Sequence, residues 1–223
     1  MTDLKVSYTY DEAGNRISRT DLTGSTPAIT YYMYDPSGNI LAIYNGSNIT
    51  EAPIYGSGRL GTYTYASNAY AYELRDNVGS VRVVINRNKK ADGTVDVLTY
   101  NDYYPYGSIA RNGGVGYRYE YQGAYAEKDP ITGWNNFDLR MYDGRIGRWL
   151  SSDPKNIGNS PYIGMANNPT IFKDKDGGDP STDVIKNSDG TYTVVGGNIH
   201  DNDRNIYVVD ASGKRTGEIM VKH

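Results

Sequence analysis

Over most of the first 120 residues, apolar and polar positions alternate with a period of two. Tyr8 and Tyr10, Tyr63 and Tyr65, and Tyr70 and Tyr72 stand two apart, with small or polar residues between them. That spacing puts side chains on one face of a strand. No stretch keeps the 3.6-residue period of an amphipathic helix. Val81–Ile85 and Val95–Tyr100 read as paired strands around a turn at Asp92-Gly93, and Ile43–Tyr72 is strand-like throughout. Proline cannot donate to a ladder, so Pro105 ends its strand or makes it an edge. Tyr117–Gly123 reads as one more strand, Glu127–Gly133 as a turn, and helix is expected only in short pieces near Tyr162–Ala166. The pattern predicts an all-β fold of antiparallel hairpins with a tyrosine-rich, curved sheet.

One unit of this pattern repeats. Tyr8-Thr-Tyr10-Asp11-Glu-Ala-Gly14-Asn15-Arg-Ile17 returns as Tyr32-Met-Tyr34-Asp35-Pro-Ser-Gly38-Asn39-Ile-Leu41, and more weakly as Leu74-Arg-Asp76-Asn-Val-Gly79-Ser-Val81. Each copy reads as a hairpin. The Asp accepts hydrogen bonds from turn amides, and the Gly three residues on supplies the positive φ of a type I turn with a bulge. The following strand is expected to resume alternation at Ile17, or at Ile40 and Ala42. Past Gly177 the style changes. Gly177–Ser181 is linker-like, and two more hairpins follow: Asp183–Lys186 with Thr191–Val195, then Asn205–Asp210 with Arg215–Val221, joined by Ala211–Lys214. Two units are therefore expected, 1–177 and 178–223.

Composition agrees. The chain holds 23 Tyr against 2 Phe and 2 Trp, and 26 Gly; tyrosine suits a half-wet pleated surface and glycine marks tight turns. A net charge of −3 argues against nucleic acid as a partner, which calls for a basic patch. With no cysteine, disulfides and thiolate metal sites are excluded. There is no apolar h-region near Met1 and no run approaching the ~20 apolar residues that cross a bilayer. A sheet that starts at Met1 without a cap presents an open edge, expected to recruit other strands.

Most chemical motifs fail on inspection. Gly56-Ser-Gly58-Arg-Leu-Gly61 spells a dinucleotide fingerprint, but it opens the strand pattern Thr62–Ala66 rather than a helix. A serine triad would need His200 or His223 and has no nucleophile elbow. Ser152-Asp-Pro-Lys155 lacks the companion motifs of its class. Asp201-Asn-Asp203-Arg-Asn205 begins like a calcium loop but has Ile206 and Ser212 at two defining positions. Asn45 and Asn48 head glycosylation sequons by letter only. No cofactor and no metal is expected.

The densest signature runs from Phe137 to Gly177. Arg140-Met-Tyr-Asp143 leads into Gly144-Arg-Ile-Gly147 and Arg148-Trp-Leu-Ser-Ser-Asp153-Pro154; then come Pro161-Tyr-Ile-Gly164, Asn167-Asn-Pro169 and Asp174-Lys-Asp176-Gly177. Upstream stand Tyr100-Asn-Asp-Tyr-Tyr-Pro105-Tyr-Gly107 and Asp129-Pro-Ile-Thr132-Gly133. With the repeats, this resembles the YD repeats and associated core domain of RHS proteins. Gly144 and Lys175 replace two of that family's prolines.

The resemblance implies a β-cage, of which this chain would supply one end together with further YD repeats. The cage would enclose a variable C-terminal effector as cargo, with an immunity or secretion-adaptor protein as a further partner. A secreted or cell-surface location is implied, type VI secretion being one route. In self-cleaving members the resemblance assigns an intramolecular aspartic peptidase to the positions matched by Asp153 and Asp174; Asp176 could stand in for Asp174. Such a pair works when one carboxyl holds a proton and the other activates water. Lys175 replaces the proline that would fix the second Asp, and Gly178 the leucine at the cut, so an intact chain is expected. An adhesion module whose exposed tyrosines stack on carbohydrate is the remaining reading.

Overall fold

The computed structural model describes residues 4–154, 160–174, 177, 182–196, 206–210 and 215–221. Ten strands follow one another as a simple antiparallel meander: β1 (Val6–Tyr10), β2 (Arg16–Asp21), β3 (Ala28–Tyr34), β4 (Ile40–Asn45), β5 (Asn48–Tyr55), β6 (Arg59–Thr64), β7 (Ala69–Arg75), β8 (Val81–Asn86), β9 (Val97–Tyr103) and β10 (Ile109–Gly114). Every neighbour in sequence is a neighbour in space. A second sheet of short strands comprises β11 (Glu127–Lys128), β12 (Asn135–Asn136), β13 (Met141–Asp143) and β14 (Arg148–Trp149). Among the described residues the only helix is the single 3₁₀ turn Met165–Asn167.

The repeat has the physical form expected of it. Asp11 Oδ1 accepts from the amides of Ala13 (2.9 Å) and Asn15 (2.8 Å), and Asp35 Oδ1 from Ser37 (2.8 Å) and Asn39 (2.9 Å). Asp76 does the same with Val78 (3.2 Å) and Ser80 (2.9 Å). Gly14, Gly38 and Gly79 stand at φ of 87°, 83° and 87°, where a Cβ would cost about 1–2 kcal/mol. The same backbone turn closes at Lys90–Thr94, Tyr104–Ser108 and Asn187–Thr191, where the sequence repeat is not visible. Pro105 lies inside the second of these, and β9 ends at Tyr103.

At the turns after β1, β3, β5, β7 and β9 the register slips. The slip changes the phase of the strand that follows. Ile17, Leu41 and Leu60 sit in the bulges and are exposed, while Arg16 and Ala42 are buried. The expected alternation from Ile17, or from Ile40 and Ala42, is corrected accordingly.

Two further corrections concern the strands. Tyr117–Gly123 is not a strand. It runs as irregular chain beneath the large sheet, with Glu120 C=O accepting from Val81 N–H (2.9 Å) and Gly79 C=O from Ala124 N–H (3.0 Å). Buried neighbours on both sides leave it no ladder partner along its length: Tyr119 packs on Ala71, Val81 and Val84, while Tyr121 packs on Phe137, Tyr142 and Trp149. The second correction concerns the two C-terminal hairpins, β15 (Thr182–Lys186) with β16 (Tyr192–Gly196) and β17 (Ile206–Val209) with β18 (Arg215–Val221). They join into one sheet, ordered β16-β15-β17-β18, through a parallel β15–β17 pair.

Candidate functional site

The sequence Phe137–Trp149 builds a tight hairpin from its own residues. Asp143 Oδ1 accepts from the Arg145 amide (2.9 Å), Gly147 N–H closes on Asp143 C=O (2.9 Å), and Tyr142 pairs with Trp149. Their rings meet edge-on at 5.2 Å, as do Phe137 and Trp149 at 5.0 Å. The guanidinium of Arg140 lies over the Trp149 ring, 4.4 Å from its centroid.

From there Arg140 reaches Asp153, Pro161, Asp174 and Gly177. Nη1 donates to Pro161 C=O (3.1 Å), Nε donates to Gly177 C=O, and Nη2 lies 3.3 Å from Asp153 Oδ2 and 4.0 Å from Asp174 Oδ2. All three side chains are buried, Arg140 at 3% exposure, Asp153 at 8% and Asp174 at 5%. Asp153 N–H donates to Pro161 C=O (3.0 Å), while Asp174 Oδ1 accepts from Gly177 N–H (2.7 Å). Gln122 holds Asp174 from the other side: its Oε1 accepts the Asp174 amide (2.9 Å), and its own amide donates to Ser80 Oγ in the third repeat turn (3.0 Å). Gln122 is fully buried, with a left-handed φ of 44°.

The two sequence-identified carboxylates are thus brought to one guanidinium. Chemically the cluster can tie three chain segments together. Acid–base work by the pair would need one carboxyl to hold a proton, whereas Arg140 already offsets carboxylate charge at short range. Lys175, Asp176 and Gly178 lie outside the described residues, as do Lys155, His200, His223, Asp179–Ser181, Asp201–Asn205 and Ala211–Lys214. Gly56–Gly61 joins β5 to β6, a hairpin turn as the strand pattern required.

A larger set of charged residues was not singled out by sequence reasoning. They line the inward face of the ten-stranded sheet and meet the segment Tyr117–Asp129. Asp129 Oδ2 accepts from Arg19 Nε (2.6 Å) and from the Tyr8 hydroxyl (2.8 Å). Burial would raise the Asp129 carboxyl, but these bonds and the Thr132 amide hold it down at about 2. Glu127 accepts from Arg118 Nη1 (2.6 Å) and the Tyr32 hydroxyl (2.9 Å), with Arg16 3.6 Å away. Its burial penalty is outweighed by Arg118 and Arg16, so its carboxyl also lies below the ordinary range. Glu51 runs the other way: burial wins over its pairing with Arg118 and raises it. Glu73 binds Arg59 Nε (2.9 Å), Arg75 and the Tyr117 hydroxyl (2.7 Å). The signal for these was charge at inward strand positions, which becomes readable only once the bulges have set the phase.

Three comparisons bear on this architecture. The chain is 32% identical over 190 residues to salivary gland surface protein 1 of Aedes aegypti, covering 77% of this chain and 5% of that protein. It is 31% identical over 180 residues to the tRNA3(Ser)-specific nuclease WapA of Bacillus spizizenii, covering 77% of this chain and 7% of that one. The crystal structure of TcdB2-TccC3-TEV superposes with a TM-score of 0.59 at 25% identity, over 79% of this chain and 9% of that one. The chain therefore spans under a tenth of each of these relatives. The likeness to TcdB2-TccC3-TEV and to WapA supports a structural shell of toxin-like proteins. Residues 1–179, which hold the hairpin meander, the inward charges and the Arg140 cluster, match the family model described as Teneurin YD-shell, and the chain belongs to that family.

Proposed function

We propose that this chain closes one end of a β-shell, with residues 1–177 as wall and plug, and that the shell encloses and presents a variable C-terminal region beginning at 178. The observation that carries the reading is the way Tyr117–Asp129 is bolted under the sheet. Buried pairs to Arg19 and Arg16 join residues more than a hundred positions apart, as in Arg19 to Asp129, 110 residues away, and Glu73 holds Tyr117 from 44 residues away. A plug held that way closes the inward side of the wall. Further YD repeats are the natural neighbours of β1, and an effector is the natural cargo. A secretion adaptor or immunity protein would meet that cargo rather than this wall, in a secreted or cell-surface setting.

Limited proteolysis of the whole parent protein tests this. The C-terminal region should resist protease until the plug is loosened by replacing Asp129 and Glu127 with Ala. Ready digestion of that region while the wall stays whole would overturn the reading.

A second reading, self-cleavage by Asp153 and Asp174, is favoured by their meeting at Arg140. Opposing it are the substitution at Lys175 and the presence of the guanidinium itself, so we expect an intact chain. The intact mass after long incubation at several pH values decides. A split near Gly177 that Asp153→Asn abolishes would establish the peptidase.

A further inference from the structure

The ten-stranded sheet buries charge: beside the apolar Ile43, Ala71, Val81 and Val84, its covered face carries ion-paired side chains. In a sheet with one covered face, apolar residues normally point in and charged ones out. Here Arg19, Glu51, Arg59 and Glu73 point inward and are covered. Strand pairing shows what points outward: Tyr31 opposite Tyr44, Tyr63 opposite Tyr70, Leu74 opposite Val83 and Val83 opposite Tyr100. Tyr31, Met33, Leu74, Val97 and Tyr100 on this face are between 43% and 52% exposed. No paired outward position from β3 to β8 carries a charge, in a chain of which 22% is charged. The bulge residue Arg82 is the outward charge in these strands. It sits at the rim, paired with Asp76 and Asp102.

Apolar area alone does not mark an interface. Depletion of charge with enrichment of tyrosine does, because those are the compositional signals that set interface cores apart from ordinary surface. From β3 to β9, strands about 4.8 Å apart with three outward residues each present about 600 Å². That is the size of the largest patch on a typical monomer. Doubled, it reaches about 1,200 Å², the lower bound for a specific protein–protein interface.

We propose that this outer face docks on the same face of a second copy of the chain. Two sheets of equal twist stack face to face at about −30° and 10 Å apart, as the two layers of a sandwich do. An isologous contact of this kind needs a surface that tolerates itself. A face whose cations, Arg82 and the Arg87 that covers Tyr70, lie at its two ends does so, although each copy carries a net charge of −3. Tyr72, which pairs with Gly61 and Ile85 in the middle of the face, would lie at the two-fold axis, with Arg82 and Arg87 toward the two ends. The inference goes beyond the shell reading and is independent of cargo.

Sedimentation equilibrium of the purified chain should show a monomer–dimer equilibrium with Kd in the micromolar range, about 10–100 µM, the weak end expected for so small an interface. Met33→Lys with Leu74→Lys, both at exposed positions, should raise Kd at least about a hundredfold, each buried like charge costing about 1.4 kcal/mol or more. Ser7→Lys on the edge strand β1 should leave it unchanged. Because the chain has no cysteine, Tyr72→Cys gives a clean probe and should cross-link between copies, whereas a cysteine at Asp92, on a hairpin tip, should not. A strictly monomeric chain up to about 1 mM would overturn the proposal. So would a dimer that survives both lysines but is lost on Ser7→Lys, which would place the contact at the edge. Retention of a monomer on a glycan matrix, lost on Tyr31→Ala, would assign the face to carbohydrate instead.

Discussion

At the residue scale, Arg140 is the most consequential side chain. It faces Asp153 and Asp174, both buried, and donates to two backbone carbonyls. Replacing it with Leu keeps volume over Trp149 but leaves two buried carboxylates without their guanidinium. Breaking a buried pair from one side costs about 3–5 kcal/mol; urea unfolding of Arg140→Leu should show a loss of that size, and a loss below about 1 kcal/mol would mean that the cluster is wet. Asp129 yields a prediction in pH. Its folded carboxyl, at about 2, lies below the ordinary value of 3.8, so the unfolded chain binds a proton first as pH falls. The stabilisation is complete above about pH 4 and is lost as pH falls through about 2, on the order of 2 kcal/mol. Asp129→Asn should flatten the acid limb of the stability profile in that window. The carboxylates at 153 and 174 were named by the resemblance to RHS proteins, and the fold brings both to Arg140. Arg140 stood in the same motif, but its role was not legible, since a partner set spread from Trp149 to Gly177 is defined only by the fold.

At the element scale, the turns were the most readable feature and the strand phases the least. Asp-x-x-Gly states its own geometry, so Asp11, Asp35 and Asp76 could be assigned from local chemistry alone. The turn at Tyr104–Ser108 has the same backbone without the Asp; there Pro105 and Gly107 stand at the positions a type I turn favours. Asp35→Ala removes acceptors from two turn amides and the Asn39 side chain at an exposed site. It should cost about 1 kcal/mol, with faster hydrogen exchange confined to β3 and β4. A loss spread over all ten strands would show instead that the meander melts as one unit. The bulges were invisible because one extra residue leaves composition untouched while exchanging the two faces. Tyr117–Tyr121 alternates like a strand, yet its rings are claimed by two different cores, and that tertiary demand overrides the local pattern.

At the scale of the molecule, the all-β meander and its family were legible from period and motif. The charge buried under the sheet was not, because it depends on which face the plug covers. That charge bears on the order in which the chain assembles. Neighbouring strands can pair as soon as they leave the ribosome, but the plug lies far behind: Tyr8 waits for Asp129, 121 residues later. At about 5–20 residues per second, that is a delay of roughly 6–25 s during which the wall stands with its inward face bare. An apolar inward face would be adhesive for all of that time. One carrying Arg16, Arg19, Glu51 and Glu73 stays hydrated and gives up its water only when Arg118, Glu127 and Asp129 arrive. Exchanging Arg19 and Asp129 together for a Leu pair should therefore leave the finished protein as stable or more so, yet raise light scattering severalfold during refolding from denaturant. Equal scattering would show that the charges do nothing before the plug closes. The buried ions under this sheet then serve the unfinished chain, keeping a half-built wall in solution until the segment behind it comes to cover it.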